Sequence, residues 1–110
     1  MGFLDLFKHV DINAELEKMK TIDNAVLLDV RTIQEYEEGH IPGSINVPVE
    51  SIEQVREVIA DLDAPVYVYC LRGSRSASAV KAMEKMGYTN TKSIGGISSY
   101  SGNKVIGTTR

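Results

Sequence analysis

One cysteine stands among the 110 residues, and its neighbours are those of a reactive thiol. Cys70 closes the β-branched and aromatic run Pro65-Val66-Tyr67-Val68-Tyr69 and is followed by Leu71-Arg72-Gly73-Ser74-Arg75-Ser76. A short loop of this kind, curled by a glycine between a strand and a helix, presents unpaired N–H groups and a helix dipole that favour an anion. The charges agree. From Ala64 through Met83 the only charged side chains are Arg72, Arg75 and Lys81, giving +3 in a protein of net charge −3. An ordinary cysteine, with a pKa of about 8.5, is only a few per cent thiolate at neutral pH, whereas helix N-termini and nearby cations lower that value. The pattern therefore predicts a nucleophile that needs no histidine or carboxylate as base. Residue type alone favours a buried structural cysteine; the loop, its glycine and its two arginines turn the reading towards reactivity.

Other polar residues invite quieter roles. Asp29 and Arg31, at the carboxyl end of another apolar run, read as a partly buried ion pair that fixes loops. His40, between Gly39 and Ile41-Pro42, reads as a loop-fixing hydrogen bonder, although histidine titrates near neutrality and is a familiar general base. With His9 and His40 as the 2 histidines and Cys70 as the one cysteine, no zinc-type ligand set is expected. The groups Glu35, Glu37 and Glu38, and Glu50, Glu53 and Glu57, read as solvated helix faces.

The elements that must hold Cys70 alternate between helical and strand patterns. Ile12, Leu16 and Met19 recur at helical spacing behind an Asn13 cap, and Ala25 to Val30 is a short apolar run suited to a sheet buried on both faces. Thr32 to Glu35 is a capping box, with Gly39 at the stop. Pro42-Gly43-Ser44 turns the chain into a brief strand, Ile45 to Val47. Ser51 and Gln54 predict a second capping box, opening a helix of about three turns with Ile52, Val55, Ile59 and Leu62 on one stripe. Beyond the Cys70 loop, Ala79, Val80, Met83 and Met86 mark a helix ending at Gly87, and Thr91 to Ile94 reads as a last strand before Gly95-Gly96. Ser98 to Ser101 reads as polar loop. The order predicts an α/β fold with a parallel sheet and helices on its faces.

Length and composition bound the rest. A chain of 110 residues is expected to form one domain, residues 1–110, and 43% hydrophobic with 25% charged residues is ordinary for a globular protein. The acidic balance gives no reason to expect nucleic acid or an anionic membrane as partner. No window approaches the ~20 apolar residues of a membrane span, and Met1 to Lys8 lacks the pattern of a signal peptide; a cytoplasmic protein is expected.

At this level the sequence resembles the rhodanese-like family. Cys70 to Ser76 is similar to its C-x-x-G-x-R-S loop, and Leu28-Asp29-Val30-Arg31 with Glu35-Tyr36 is similar to a first family motif. Gly39-His40-Ile41-Pro42-Gly43-Ser44-Ile45-Asn46-Val47-Pro48 resembles a second, and Gly95-Gly96-Ile97 a closing one, so the likeness runs over about residues 8–102. Two positions differ: Leu71 follows the cysteine where many thiosulfate-using members carry a cation, and Tyr100 stands where Trp is frequent. The resemblance implies a three-layer rhodanese-like fold with a central parallel sheet and helices on both faces. It also implies a sulfurtransferase in which Cys70 accepts a sulfane sulfur as a persulfide. Arg72, Arg75 and the loop N–H groups from Leu71 to Ser76 would hold a small sulfur-containing anion as donor, and cyanide, a thiol or a protein thiol would be the acceptor. No cofactor is implied.

A phosphatase or arsenate reductase is the alternative of a different class, since such enzymes also cradle an oxyanion between Cys and Arg. Their loop resembles C-x5-R, one residue longer than the spacing from Cys70 to Arg75, and the tighter cradle suits a sulfur atom better than a tetrahedral phosphoryl group. A non-catalytic interaction module is the third reading, disfavoured by the presence of Cys70 and both arginines.

Overall fold

The computed structural model describes residues 10–110; the readings of Met1 to Lys8 and of His9 fall outside them. Four strands, β1 Val26–Asp29, β2 Ile45–Asn46, β3 Val66–Cys70 and β4 Thr91–Gly96, form a wholly parallel sheet in the order β2-β1-β3-β4. The helices are α1 Ile12–Met19, α2 Ile33–Glu38, α3 Val55–Val58 and α4 Ser74–Lys85, with 3-10 turns at Val49–Gln54 and Ile97–Ser99.

Strand pleating divides the core in two, because successive side chains leave opposite faces of a sheet. Leu28, Val66, Val68 and Cys70 join Val55, Ile59, Ala79 and Met83 on the face of α3 and α4. Leu27, Tyr67, Tyr69 and Ile94 join Ile12, Leu16 and Ile97 on the face of α1. All five residues of β3 are buried, as a strand covered on both sides requires. The same alternation sends the Cys70 side chain to the face carrying α4, so the thiol lies under that helix's first turn. No helix among the described residues is long and apolar enough to cross a membrane.

Thr32 and Glu35 form the expected capping box reciprocally, but two local expectations are corrected. Asp11, not Asn13, caps α1: its carboxylate accepts from the N–H groups of Asn13 and Ala14 at 3.0 and 3.4 Å. Asn13 instead stitches α1 to the segment after β4, donating to the Ser99 carbonyl at 3.0 Å and accepting from the Ser101 N–H at 3.0 Å. The helix expected from Ser51 is broken. Ser51 itself adopts φ −121° and ψ 31°, leaving a 3-10 turn and the single turn α3 in place of three turns, with no capping side chain. Ile52, Val55 and Ile59 are still buried, while Leu62 is exposed. Three of the four stripe positions survive because burial needs the side chains on one face rather than a continuous helix.

The sheet meets the Cys70 loop through a close backbone approach. Pairing of β3 with β4 shifts register after Val68, bringing Cys70 opposite Gly96. A Cβ on Gly96 would overlap the Leu71 carbonyl and the Arg72 Cα, backbone atoms that cannot rotate aside. Gly96→Ala is therefore expected to destabilise the fold by about 1–3 kcal/mol, read as a lowered thermal midpoint. Ser98→Ala, at a neighbouring exposed position, should stay within about 0.5 kcal/mol of the parent.

Candidate active site

Cys70 is 1% exposed, and its sulfur is an acceptor at the centre of the loop. The Gly73 N–H donates to Sγ at 3.0 Å and the Ser76 N–H at 3.4 Å, with the Ser76 hydroxyl 3.6 Å away. Gly73 makes this convergence possible: its φ of +123° turns the chain into α4 at a conformation other residues resist. Burial pushes the thiol's pKa up, but the N–H and hydroxyl of Ser76 and the N–H groups of Gly73 and Arg72 outweigh it, so the net shift is downward. The thiolate is thus favoured mainly by backbone dipoles, one of the two influences that the sequence suggested; the arginine charges are not among the main causes.

Those arginines diverge. Arg75, in the first turn of α4, donates from both terminal guanidinium nitrogens to Glu35, at 2.7 and 3.0 Å, rather than standing free beside the sulfur. Glu35 is correspondingly no solvated face residue. It also accepts from the Thr32 N–H and hydroxyl at 3.0 and 3.1 Å, and the Arg75 guanidinium, working against burial and aided by Thr32, holds its pKa down at about 2. The capping box of α2 and the first turn of α4 are thereby clamped together. Arg72 is exposed and, among the described residues, forms no ion pair. Leu71 and Ser74 are exposed as well, and Ser76 is fully buried.

Two clefts flank the loop. One of about 280 Å³ lies between Leu71, Ile97, Arg31, Glu35, Glu38 and Lys104; the other, of about 300 Å³, is lined by Arg72, Gly73, Ser93, Gly95 and Ser99. A hollow of about 390 Å³ against Leu16, Met19, Ile41 and Tyr100 includes no loop residue.

Asp29, Arg31 and His40 build the wall behind. Asp29 is fully buried and takes the Arg31 guanidinium at 2.7 Å, while the same Arg31 nitrogen donates to the Gly39 carbonyl at 2.9 Å. Asn46 donates to the carbonyls of Asp29 and Arg31 at 3.0 and 2.9 Å. His40 is fully buried, stacked on Tyr36 with ring centroids 3.6 Å apart, its ring nitrogens 2.8 and 2.6 Å from the carbonyl oxygens of Tyr36 and Thr109. Neither ring nitrogen is directed at Cys70. Among the described residues no group of three or more His, Cys, Asp or Glu converges as a metal site.

Sequence reasoning missed Ser93. Its hydroxyl lies 2.7 Å from that of Ser76, and nothing local to a lone serine in an edge strand signals this.

Comparison with known proteins decides the family. The model of the rhodanese-like domain matches residues 13–103. This chain belongs to the rhodanese-like family. It is 33% identical over 81 residues to the thiosulfate sulfurtransferase PspE of Escherichia coli, covering 73% of this chain and 78% of that protein. It is also 33% identical over 79 residues to a putative sulfur carrier protein, YrkF, of Bacillus subtilis, covering 72% of this chain but only 42% of that protein. Among solved structures, "rhodanese with anions from E. coli" superposes with a TM-score of 0.70 at 32% identity, covering 76% of this chain and 99% of the other. The rhodanese-like fold, with its central parallel sheet and helices on both faces, is the one expected from the motifs.

The Glu35–Arg75 clamp carries a pH dependence of definite sign. Because the folded pKa of Glu35 lies below its ordinary 4.5, the ion pair stabilises the fold fully above that value and loses its contribution as pH falls towards about 2. Glu35→Gln is expected to cost roughly 1 kcal/mol at neutral pH, the pair being bidentate but partly solvated, with the difference from the parent vanishing at the acid end. Denaturant unfolding of both proteins across that range measures it, with Glu57→Gln, at an exposed position, as the control.

Proposed function

We propose that this protein is a rhodanese-type sulfurtransferase that carries one sulfane sulfur on Cys70. The observation that supports the reading best is the loop itself. Backbone N–H groups converge on a lone buried thiol with a lowered pKa, and relatives of similar sequence are named thiosulfate sulfurtransferases.

The chemistry balances in two displacements. The Cys70 thiolate attacks the sulfane sulfur of thiosulfate; the new S–S bond forms as the old one breaks, and sulfite leaves with the electron pair. Cyanide or a thiol then attacks the outer sulfur and the thiolate is regenerated. The loop N–H groups hold negative charge on sulfur in both steps. Arg72, the loop cation without an ion-pair partner among the described residues, guides the anionic donor. Arg75 acts differently, anchoring the first turn of α4 through Glu35. With Leu71 where a cation would add to the cradle, donors of lower charge than thiosulfate, such as persulfides, fit the site as well. A cytoplasmic setting, with abundant thiol acceptors, agrees with this chemistry.

Cys70 is the sole cysteine, so a persulfide formed there has no resolving thiol in the chain and waits for an outside nucleophile. Intact mass after incubation with thiosulfate and desalting should show one added sulfur that persists until cyanide or dithiothreitol is supplied. Cys70→Ser should show neither loading nor transfer; full transferase activity in that folded variant would sink the assignment. Loss of the added sulfur without any acceptor would favour the oxyanion-enzyme reading.

Arg72→Ala should lower kcat/KM for thiosulfate about tenfold or more, the expected scale for one charge-assisted hydrogen bond. Lys81→Ala, on the exposed side of α4, should leave it within about twofold. Equal, negligible effects would mean that the donor is held by backbone N–H groups alone.

A further inference from the structure

The Ser76 hydroxyl has one proton and three neighbours. Its oxygen lies 3.6 Å from Cys70 Sγ, 3.0 Å from the Gly73 carbonyl and 2.7 Å from Ser93 Oγ. Which of them receives that proton decides whether the hydroxyl can stabilise a charge on sulfur. The Gly73 carbonyl can do without it, because it also accepts the helical N–H of Ala77 at 3.0 Å. Ser93 stands on β4 beside the cleft that Arg72 and Gly73 line, and among the described residues its hydroxyl has no other hydrogen-bond partner than Ser76.

We propose that Ser93 is a positioning residue for Cys70, acting through Ser76. The Ser93 hydroxyl donates to Ser76 Oγ, which leaves the single Ser76 proton free for the sulfur. While Cys70 is a thiol, its S–H and the Ser93 O–H fill the two lone pairs of Ser76 Oγ, and the Ser76 proton rests on Gly73. When the thiol proton passes to solvent, the Ser76 O–H turns to the thiolate and Gly73 keeps its bond from Ala77. Every donor and acceptor is then satisfied in both states, as burial demands. Without Ser93, the Ser76 oxygen still has the S–H donor while Cys70 is a thiol but neither of the two once Cys70 is ionised, so the thiolate is less favoured.

The inference rests on Cys70 as the reacting thiol, and its test separates the two. Alkylation of Cys70 by iodoacetamide, followed by intact mass across the range of thiol ionisation, gives the apparent pKa. Ser93→Ala is expected to raise it, slowing alkylation below the pKa about three- to tenfold, a full unit being tenfold in thiolate fraction, with the alkaline plateau unchanged. Ser93→Thr and Ser93→Val are nearly isosteric and both suit a strand; Thr should keep the parent profile and Val should shift like Ala. In a Ser76→Ala background, Ser93→Ala should produce no further shift. An unchanged profile in Ser93→Ala and Ser93→Val, or an equal shift without Ser76, would overturn the inference even if the parent protein loads sulfur. A parent thiol that titrates as an ordinary cysteine and takes no sulfur from thiosulfate would overturn the reading of Cys70 itself.

Discussion

The turn from β3 into α4 is governed by a sulfur atom acting as a hydrogen-bond acceptor. Cys70 ends a strand whose pleat directs its side chain towards α4, and the N–H groups of Gly73 and Ser76 close upon it. A helix leaves its first N–H groups without backbone partners; Sγ here takes the place of a capping oxygen, since no side chain caps α4. One arrangement therefore satisfies the helix and favours the thiolate. Stability and the proposed reactivity draw on the same hydrogen bonds.

The surrounding contacts keep that turn from relaxing. Gly96 lets β4 press against Leu71 and Arg72, and the Ser98 N–H donates to the Leu71 carbonyl at 3.1 Å. Glu35 clamps Arg75 from the other side. Beneath, the Asp29–Arg31 pair ties the end of β1 to Gly39, and Tyr69 accepts from the Ile41 N–H at 3.1 Å. Burial and the charge of Asp29 push the Tyr69 phenol's pKa upward, keeping it protonated as a fixed hydrogen-bonding post beside Ser44. On the proposed reading, a loop held on all sides would lose little further entropy on binding an anion, which is the advantage of a preorganised site.

Features set by neighbours along the chain were readable before any coordinates: the alternation of strands and helices, the Thr32–Glu35 capping box, and the cysteine between a strand and a glycine-bearing loop. Hydrophobic period and capping chemistry act within a few residues, so the amino-acid order determines them. The lone thiol likewise excluded an internal disulfide. The helix at Ser51 failed for the complementary reason. Ile52, Val55 and Ile59 of its apolar stripe lie in the core while Leu62 does not, and the non-helical conformation of Ser51 breaks the helix where capping chemistry gave no sign of it.

Tertiary structure alone decided which charges the site can use. Arg75 and Glu35 are 40 residues apart, Ser76 and Ser93 are 17, and the His40 ring meets a carbonyl 69 residues away. Two arginines beside a cysteine look equivalent in sequence because proximity along the chain says nothing of where a long side chain finds its partner. Only the fold, by placing Glu35 of α2 within reach of Arg75 at the start of α4, commits one guanidinium to a carboxylate and leaves the other open, and only the register of β3 against β4 brings a serine hydroxyl to Ser76. The sequence determined that the single thiol ends a strand before a glycine-bearing loop; the fold determined which groups surround it.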